Sequence, residues 1–253
     1  MLVKFENKNI LVTGSSKGIG LGICKQLLKE NNRVIITGSK KTNINSAKKI
    51  LGEKNVYYFC GDLTNVKNIE KLLNFTKKTF SNLDLLVCNL GSGQYKNLNQ
   101  FNSDEWQRIF NINFWSTFNT INKSIKLLES VKGSIVCISS IVSSYNIVEA
   151  PLAYSIAKGI LNRYVNGLTP YLSQKGIRIN IISPGNVLFK ESIWEKKLKA
   201  NKNKTLKYIK NKVPLNKFAE VDDISSMVIY LASDKAKFIT GSEFIIDGGQ
   251  TKL

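Results

Sequence analysis

The feature that most constrains the fold is a regular alternation of short apolar runs with amphipathic stretches. Apolar runs lie at residues 9–13, 33–37, 56–60, 83–88, 134–138, 178–182 and 243–247, and helical patterning fills most of the spaces between them. Strands this uniformly apolar are buried on both faces, and strands alternating with helices build a parallel sheet covered on both sides. The chain is therefore expected to be α/β, with a seven-stranded, doubly wound parallel sheet flanked by helices. No internal repeat, low-complexity linker or composition break divides it, so residues 1–253 read as one domain. In such sheets ligands bind beyond the carboxyl ends of the strands. Gly14, Asp62, Asn89, Ser140 and Pro184 all fall at those ends and would line one crevice.

The first run ends in Thr13-Gly14-Ser15-Ser16-Lys17-Gly18-Ile19-Gly20, followed by a helical pattern through Ile23, Leu27 and Leu28. Strand, glycine turn and helix is the context that a dinucleotide needs. Glycines let the backbone approach a pyrophosphate, and a helix N-terminus offers free N–H groups and the positive end of its dipole. The spacing is G-x-x-x-G-x-G, and alone it reads equally well as a tight turn. The second run ends at Gly38-Ser39-Lys40-Lys41, without the acid that holds a ribose 2′-hydroxyl in NAD-binding folds. Lys17, Ser39, Lys40 and Lys41 would instead welcome a 2′-phosphate, which favours NADP(H), with NAD(H) as the alternative.

Tyr154 and Lys158 are four residues apart in a helical stretch and so project from one face. A fixed ammonium beside a phenol favours the phenolate and is expected to lower its pKa, making it a proton donor or acceptor. By itself such a pair is common in helices, and its meaning comes from its neighbours along the chain.

Thirty-seven Lys and Arg against eighteen Asp and Glu give a formal charge of +19, which raises nucleic acid as a partner. The lysines are scattered among many Asn and Ile residues, and no nucleic-acid-binding motif accompanies them, so nucleic acid is the minor reading. There is no histidine, which excludes a Ser-His-Asp hydrolase. Cys24, Cys60, Cys88 and Cys137 form no C-x-x-C pair, so no metal site is expected. Cys60, Cys88 and Cys137 lie in apolar runs and read as buried, reduced thiols of a cytoplasmic protein. Neither a signal peptide nor a membrane span is expected.

In combination these motifs resemble the short-chain dehydrogenase/reductase family over nearly the whole chain. They are Thr13-Gly14-x-x-x-Gly18-x-Gly20, Asp62-Leu63, Asn89-x-Gly91, Ile138-Ser139-Ser140, Tyr154-x-x-x-Lys158 and Pro184-Gly185. The tail from Phe238 to Gly249 is similar to the 3-oxoacyl-carrier-protein reductase branch. The resemblance implies a Rossmann-type fold. It implies Tyr154 as proton donor or acceptor, Lys158 holding the nicotinamide ribose and depressing the Tyr154 pKa, Ser140 orienting the substrate carbonyl with Ser139 as fallback, and Asn113 anchoring a proton-relay water. Cofactor contacts implied by the motifs, together with the phosphate argument above, fall on Gly14, Ser16, Lys17, Gly18, Ile19, Gly20, Ser39, Lys40, Asp62, Leu63, Asn89, Gly91, Tyr154, Lys158, Pro184, Gly185 and Val187. Asp62 would touch the adenine and Asn89 the adenine ribose.

Three positions depart from the family pattern. Cys88-Asn89-Leu90-Gly91 replaces Asn-Asn-Ala-Gly, one extra residue separates Ser140 from Tyr154, and Phe189 stands where a carboxamide-binding Thr is usual. Residues 188–212, rich in lysine and containing Trp194, read as a substrate lid or as a solvated basic helix. The resemblance implies NADP(H)-dependent hydride transfer between the nicotinamide and a carbonyl or secondary alcohol, as in 3-oxoacyl-carrier-protein reductases, with the substrate carried on acyl carrier protein or a nucleotide. The alternatives are a nucleotide-linked sugar in surface polysaccharide synthesis and a non-catalytic cofactor-sensing or nucleic-acid-binding protein on the same fold. A homotetramer or homodimer, built through helices at 104–128 and 151–172 and the last strand, is implied by the resemblance.

Overall fold

The computed structural model describes residues 3–94 and 101–252, so the outermost residues of the expected 1–253 domain lie outside the described residues. Seven strands form one parallel sheet: β1 (Asn9–Val12), β2 (Arg33–Gly38), β3 (Val56–Cys60), β4 (Leu85–Cys88), β5 (Ser134–Ile138), β6 (Arg178–Pro184) and β7 (Glu243–Ile246). Their order is β3-β2-β1-β4-β5-β6-β7, so the winding reverses between β1 and β4. That reversal opens the crevice in which ligands of such sheets bind.

Period-two alternation sends each strand's side chains into two separate cores. Leu11, Ile35, Leu86 and Ile135 point to the side covered by α3 (Val66–Thr79), α5 (Ser116–Glu129) and α6 (Leu152–Gln174), where they meet Leu72, Ile121 and Leu161. Ile10, Val12, Val34, Val87 and Val136 point to the other side, where α1 (Gly18–Lys29) and α9 (Val221–Ala232) supply Ile23, Leu27, Ile224 and Val228. Burying each of these side chains is worth roughly 1.5–3 kcal/mol, and that holds the strand ends in register. α2 (Lys41–Leu51) leans on the β2–β3 edge with Ile44 and Ala47.

Two expectations change, and the insert gains detail. Cys60 is exposed rather than buried, because it is the last residue of β3, the edge strand. The helical stretch expected at 104–128 is divided into α4 (Ser103–Phe110), a wide π turn over Asn111–Trp115, and α5. Inside that turn the Asn113 side chain takes the Ile109 carbonyl oxygen, donating to it at 2.9 Å. A side-chain amide competing for a helical acceptor widens the turn locally. The 188–212 insert is two helices, α7 (Ile193–Ala200) and α8 (Lys202–Lys212), started by Ser192 and Asn201, whose side chains cap Glu195 N and Lys204 N.

Candidate active site

The turn between β1 and α1 works only with glycine. Gly14 has φ +61°, and a Cβ there would lie 2.9 Å from the Leu90 Cα. Gly18 has φ +60°, and the Phe189 ring would crowd its Cβ at 2.8 Å. Thr37 Oγ1 accepts from Gly14 N at 2.9 Å, and Ser15 Oγ donates to the Val12 carbonyl at 2.6 Å, which locks the turn to the sheet. Lys17, at the N-cap of α1, gives no side-chain cap bond, so the helix presents its N-terminus open to the crevice. Asn89 lines the crevice and also braces it. Its amide donates to Thr13 O at 3.0 Å and Gly14 O at 2.9 Å, stapling β4 to the glycine turn. Gly20 lies beneath that staple, packed against the Asn89 amide, and does not face the crevice.

At the end of β2, a Cβ on Gly38 would stand 2.6 Å from Ser16 Oγ. The position has no room for an acid. Beside it, Lys17 Nζ lies 3.8 Å from Glu191, and both side chains are largely exposed. Ser39 lines the crevice, whereas Lys40 serves as the N-cap of α2 and lies outside its lining.

Tyr154 and Lys158 sit one turn apart on α6, as their spacing predicts, with Lys158 Nζ 5.9 Å from the Tyr154 ring centroid. Lys158 is 2% exposed and donates to the Ile138 carbonyl at 2.8 Å. Its burial lowers the ammonium pKa to about 8. Tyr154 opens partly to the crevice, yet desolvation raises its phenol above the usual value, and a hydrogen bond with Ser140 opposes that rise. The expected acidification by Lys158 therefore gives way to burial. Ser140, at the end of β5, faces Tyr154, while the Ser139 hydroxyl is buried without a partner.

Asn113 is fully buried, immediately behind the crevice. Its Oδ1 accepts from Ser92 N and its Nδ2 donates to Ser92 O, each at 2.9 Å. Gly91 is the window between the two. A Cβ at Gly91 would come 2.9 Å from Asn113 Oδ1 and 3.0 Å from Lys158 Nζ.

These groups open on one cleft of about 950 Å³ at the carboxyl ends of the strands, near the top of the roughly 300–1,000 Å³ range of ligand sites. Of the expected residues, Gly14, Ser16, Lys17, Gly18, Ile19, Ser39, Asp62, Leu63, Asn89, Gly91, Ser140, Tyr154, Lys158, Pro184, Gly185 and Val187 line it; Gly20, Lys40 and Asn113 do not. The cleft also takes in Glu149, Asn186, Glu191, Tyr208 and Gln250, most of which no local motif marked. Among the described residues, no group of three or more His, Cys, Asp or Glu side chains is placed to hold a metal, and no helix is long and apolar enough to cross a membrane.

Sheet order, glycine turn and the Ser-Tyr-Lys grouping define a nucleotide-binding oxidoreductase, and the chain belongs to the short-chain dehydrogenase/reductase family. The family model described as enoyl-(acyl carrier protein) reductase matches residues 14–251. The chain is 30% identical over 249 residues to the 3-oxoacyl-[acyl-carrier-protein] reductase FabG of Buchnera aphidicola subsp. Acyrthosiphon pisum, with 98% of each chain covered. It is 28% identical to glucose 1-dehydrogenase 2 of Bacillus subtilis, covering 99% of this chain and 97% of that one. Among solved structures, L-sorbose reductase from Gluconobacter frateurii, complexed with NADPH and L-sorbose, superimposes with a TM-score of 0.90 at 22% identity over 100% of both chains.

Proposed function

We propose that the chain is an NADP(H)-dependent oxidoreductase moving a hydride between the nicotinamide and a carbonyl or secondary alcohol. The observation that carries this reading is the convergence of the glycine turn, Ser140, Tyr154 and Lys158 on one cleft. The cleft fits a dinucleotide phosphate. The uncapped start of α1, with Gly14 and Gly18 clearing the approach, suits the pyrophosphate. Ser16 fills the space an acid would need at Gly38, and Lys17 and Ser39, lining the same cleft, supply a cation and a hydroxyl suited to a 2′-phosphate, which supports NADP(H) over NAD(H). Asp62 and Leu63 serve the adenine side, and Pro184, Gly185 and Val187 the nicotinamide side.

The bound nicotinamide supplies the hydride. Tyr154, whose phenol burial pushes above its usual value, gives its proton to the oxygen that becomes anionic as the carbonyl is reduced. Ser140 donates a second hydrogen bond to that oxygen. Lys158 holds a positive charge beneath the site, and Asn113 positions the backbone of Gly91 and Ser92 next to it. A non-catalytic role would not require this set together.

The relative at 30% identity supports a 3-oxoacyl thioester, carried on acyl carrier protein. The polar residues Glu149, Asn186, Tyr208 and Gln250 in the cleft support a sugar as substrate, and a nucleotide-linked sugar is the second reading. Trp115, Leu152, Ile156 and Tyr171, exposed on or beside α5 and α6, support self-association as a homotetramer or homodimer. The test of the function is oxidation of NADPH, followed at the absorbance of the reduced nicotinamide, across carbonyl substrates.

A further inference from the structure

The cleft that holds Tyr154 is also lined by the loop before α6, the α7–α8 insert and the chain after β7, a part we term the chamber. Its aromatic wall is Trp194, fixed by Tyr208 at 5.4 Å and Phe218 at 5.5 Å between ring centroids. A ring held in place by two others presents a rigid flat face at little entropic cost. Its floor is polar. Asn186 and Gln250 are 9% and 8% exposed, and Asn186 Nδ2 donates to Gln250 Oε1 at 2.9 Å. Gln250 Nε2 reaches the Tyr208 hydroxyl at 3.4 Å.

Glu149 stands at the rim, exposed, and its negative charge contributes to the raised pKa of Tyr208 after desolvation. Among the described residues no Lys or Arg pairs with Glu149 within 4 Å. Of the lysines at 188–212, only Lys197 lines the cleft, with its Nζ over the Trp194 ring at 4.4 Å. The insert's basic charge is thus mostly turned away from the chamber.

An acyl chain offers the Glu149 carboxylate and the polar atoms of the amide pair no hydrogen-bond partner. A polyanionic ligand would face the unpaired Glu149 carboxylate. Hydroxyl groups satisfy both features, since they donate to the carboxylate and exchange hydrogen bonds with the amides, while a C–H face packs on Trp194. We infer that the substrate is an uncharged, polyhydroxylated ketone of carbohydrate type, held by Glu149, Gln250 and Trp194, an inference that rests on the reductase reading above. In the reaction the ketone carbon gains the hydride, its oxygen gains the Tyr154 proton, NADPH is oxidised to NADP⁺, and the product is a polyol.

The test has a binding arm and a turnover arm on the full chain. Saturation-transfer NMR with D-fructose and L-sorbose, in the presence of NADP⁺, should show ring-proton contacts that Glu149→Gln and Trp194→Ala reduce. NADPH oxidation should proceed with kcat/KM at least tenfold higher for a ketose among D-fructose, L-sorbose, D-ribulose and D-xylulose than for an acetoacetyl thioester. Glu149→Gln, at an exposed position that does not threaten folding, should raise KM for that ketose about tenfold with little change in kcat. A preference for the thioester or for a nucleotide-linked sugar overturns the inference and leaves the reductase reading standing. Failure to oxidise NADPH with any of these or with 2,3-butanedione overturns both.

Discussion

Lys158 Nζ stands 5.9 Å from the ring centroid of Tyr154, one helical turn along α6, and is anchored from below by the Ile138 carbonyl at 2.8 Å. The pair meets as its spacing requires, but the ammonium is buried deeply enough to hold its proton only to about pH 8. Two consequences can be measured. In the free enzyme the cationic form, present below about pH 8, supports proton donation by Tyr154, so kcat/KM for reduction should fall as pH rises through that value. The folded chain also binds this proton less tightly than the unfolded chain, whose ordinary value is 10.5. The cost of burying the charge is therefore present in full below about pH 8 and disappears as pH approaches 10.5. Lys158→Met should raise Tm at pH 7, and the gain should shrink towards pH 10.5. An equal gain at both pH values would show that the charge is not what matters.

Cofactor choice depends on Ser16 and Gly38. Gly38→Asp alone should bind neither nucleotide well, because the new side chain meets Ser16 Oγ, which lies 2.6 Å from where its Cβ must go. Adding Ser16→Gly should restore binding and favour NADH. Lys17→Ala should weaken NADPH but not NADH by roughly ten- to a hundredfold, the worth of a hydrogen bond to a charged group. Fluorescence titration of the two reduced nucleotides measures each change.

Adjacent serines should separate cleanly. Ser140→Ala removes a donor from the developing oxyanion and should lower kcat by about 10²–10³. Ser139→Ala deletes a buried hydroxyl that has no partner, so kcat should hold and Tm should stay level or rise. The reverse ranking would move the role to Ser139.

Gly91→Ala tests the window between Asn113 and Lys158. The added methyl would crowd Asn113 Oδ1 at 2.9 Å and Lys158 Nζ at 3.0 Å. Turnover should drop at least tenfold, with NADPH affinity changed much less and near-ultraviolet circular dichroism preserved. Unchanged turnover would mean that nothing passes or sits there.

Much of this was legible in the sequence because it is local. Each strand is a continuous apolar run, and Tyr154 and Lys158 needed only the period of a helix. What stayed hidden depends on contacts between distant segments. The bonds from the Asn89 amide to the Thr13 and Gly14 carbonyls, which brace the cleft it lines, join segments far apart in the chain. The Asn113 side chain, set in the π turn, is tied to Ser92, twenty-one residues away. The exposure of Cys60 follows from strand order, which an apolar run does not encode. The pKa directions depend on burial, so the spacing that predicted an acidified phenol could not weigh desolvation against charge. Glu149, Asn186, Tyr208 and Gln250 come from four separate segments and share a cleft only once the sheet has folded.

The most direct test is Tyr154→Phe, measured for NADPH oxidation and for NADPH binding on the same preparation. The account predicts turnover lower by about 10²–10⁴, the usual worth of a positioned proton donor, with NADPH affinity within a few fold of the parent. Turnover at the parent rate in that variant would contradict it.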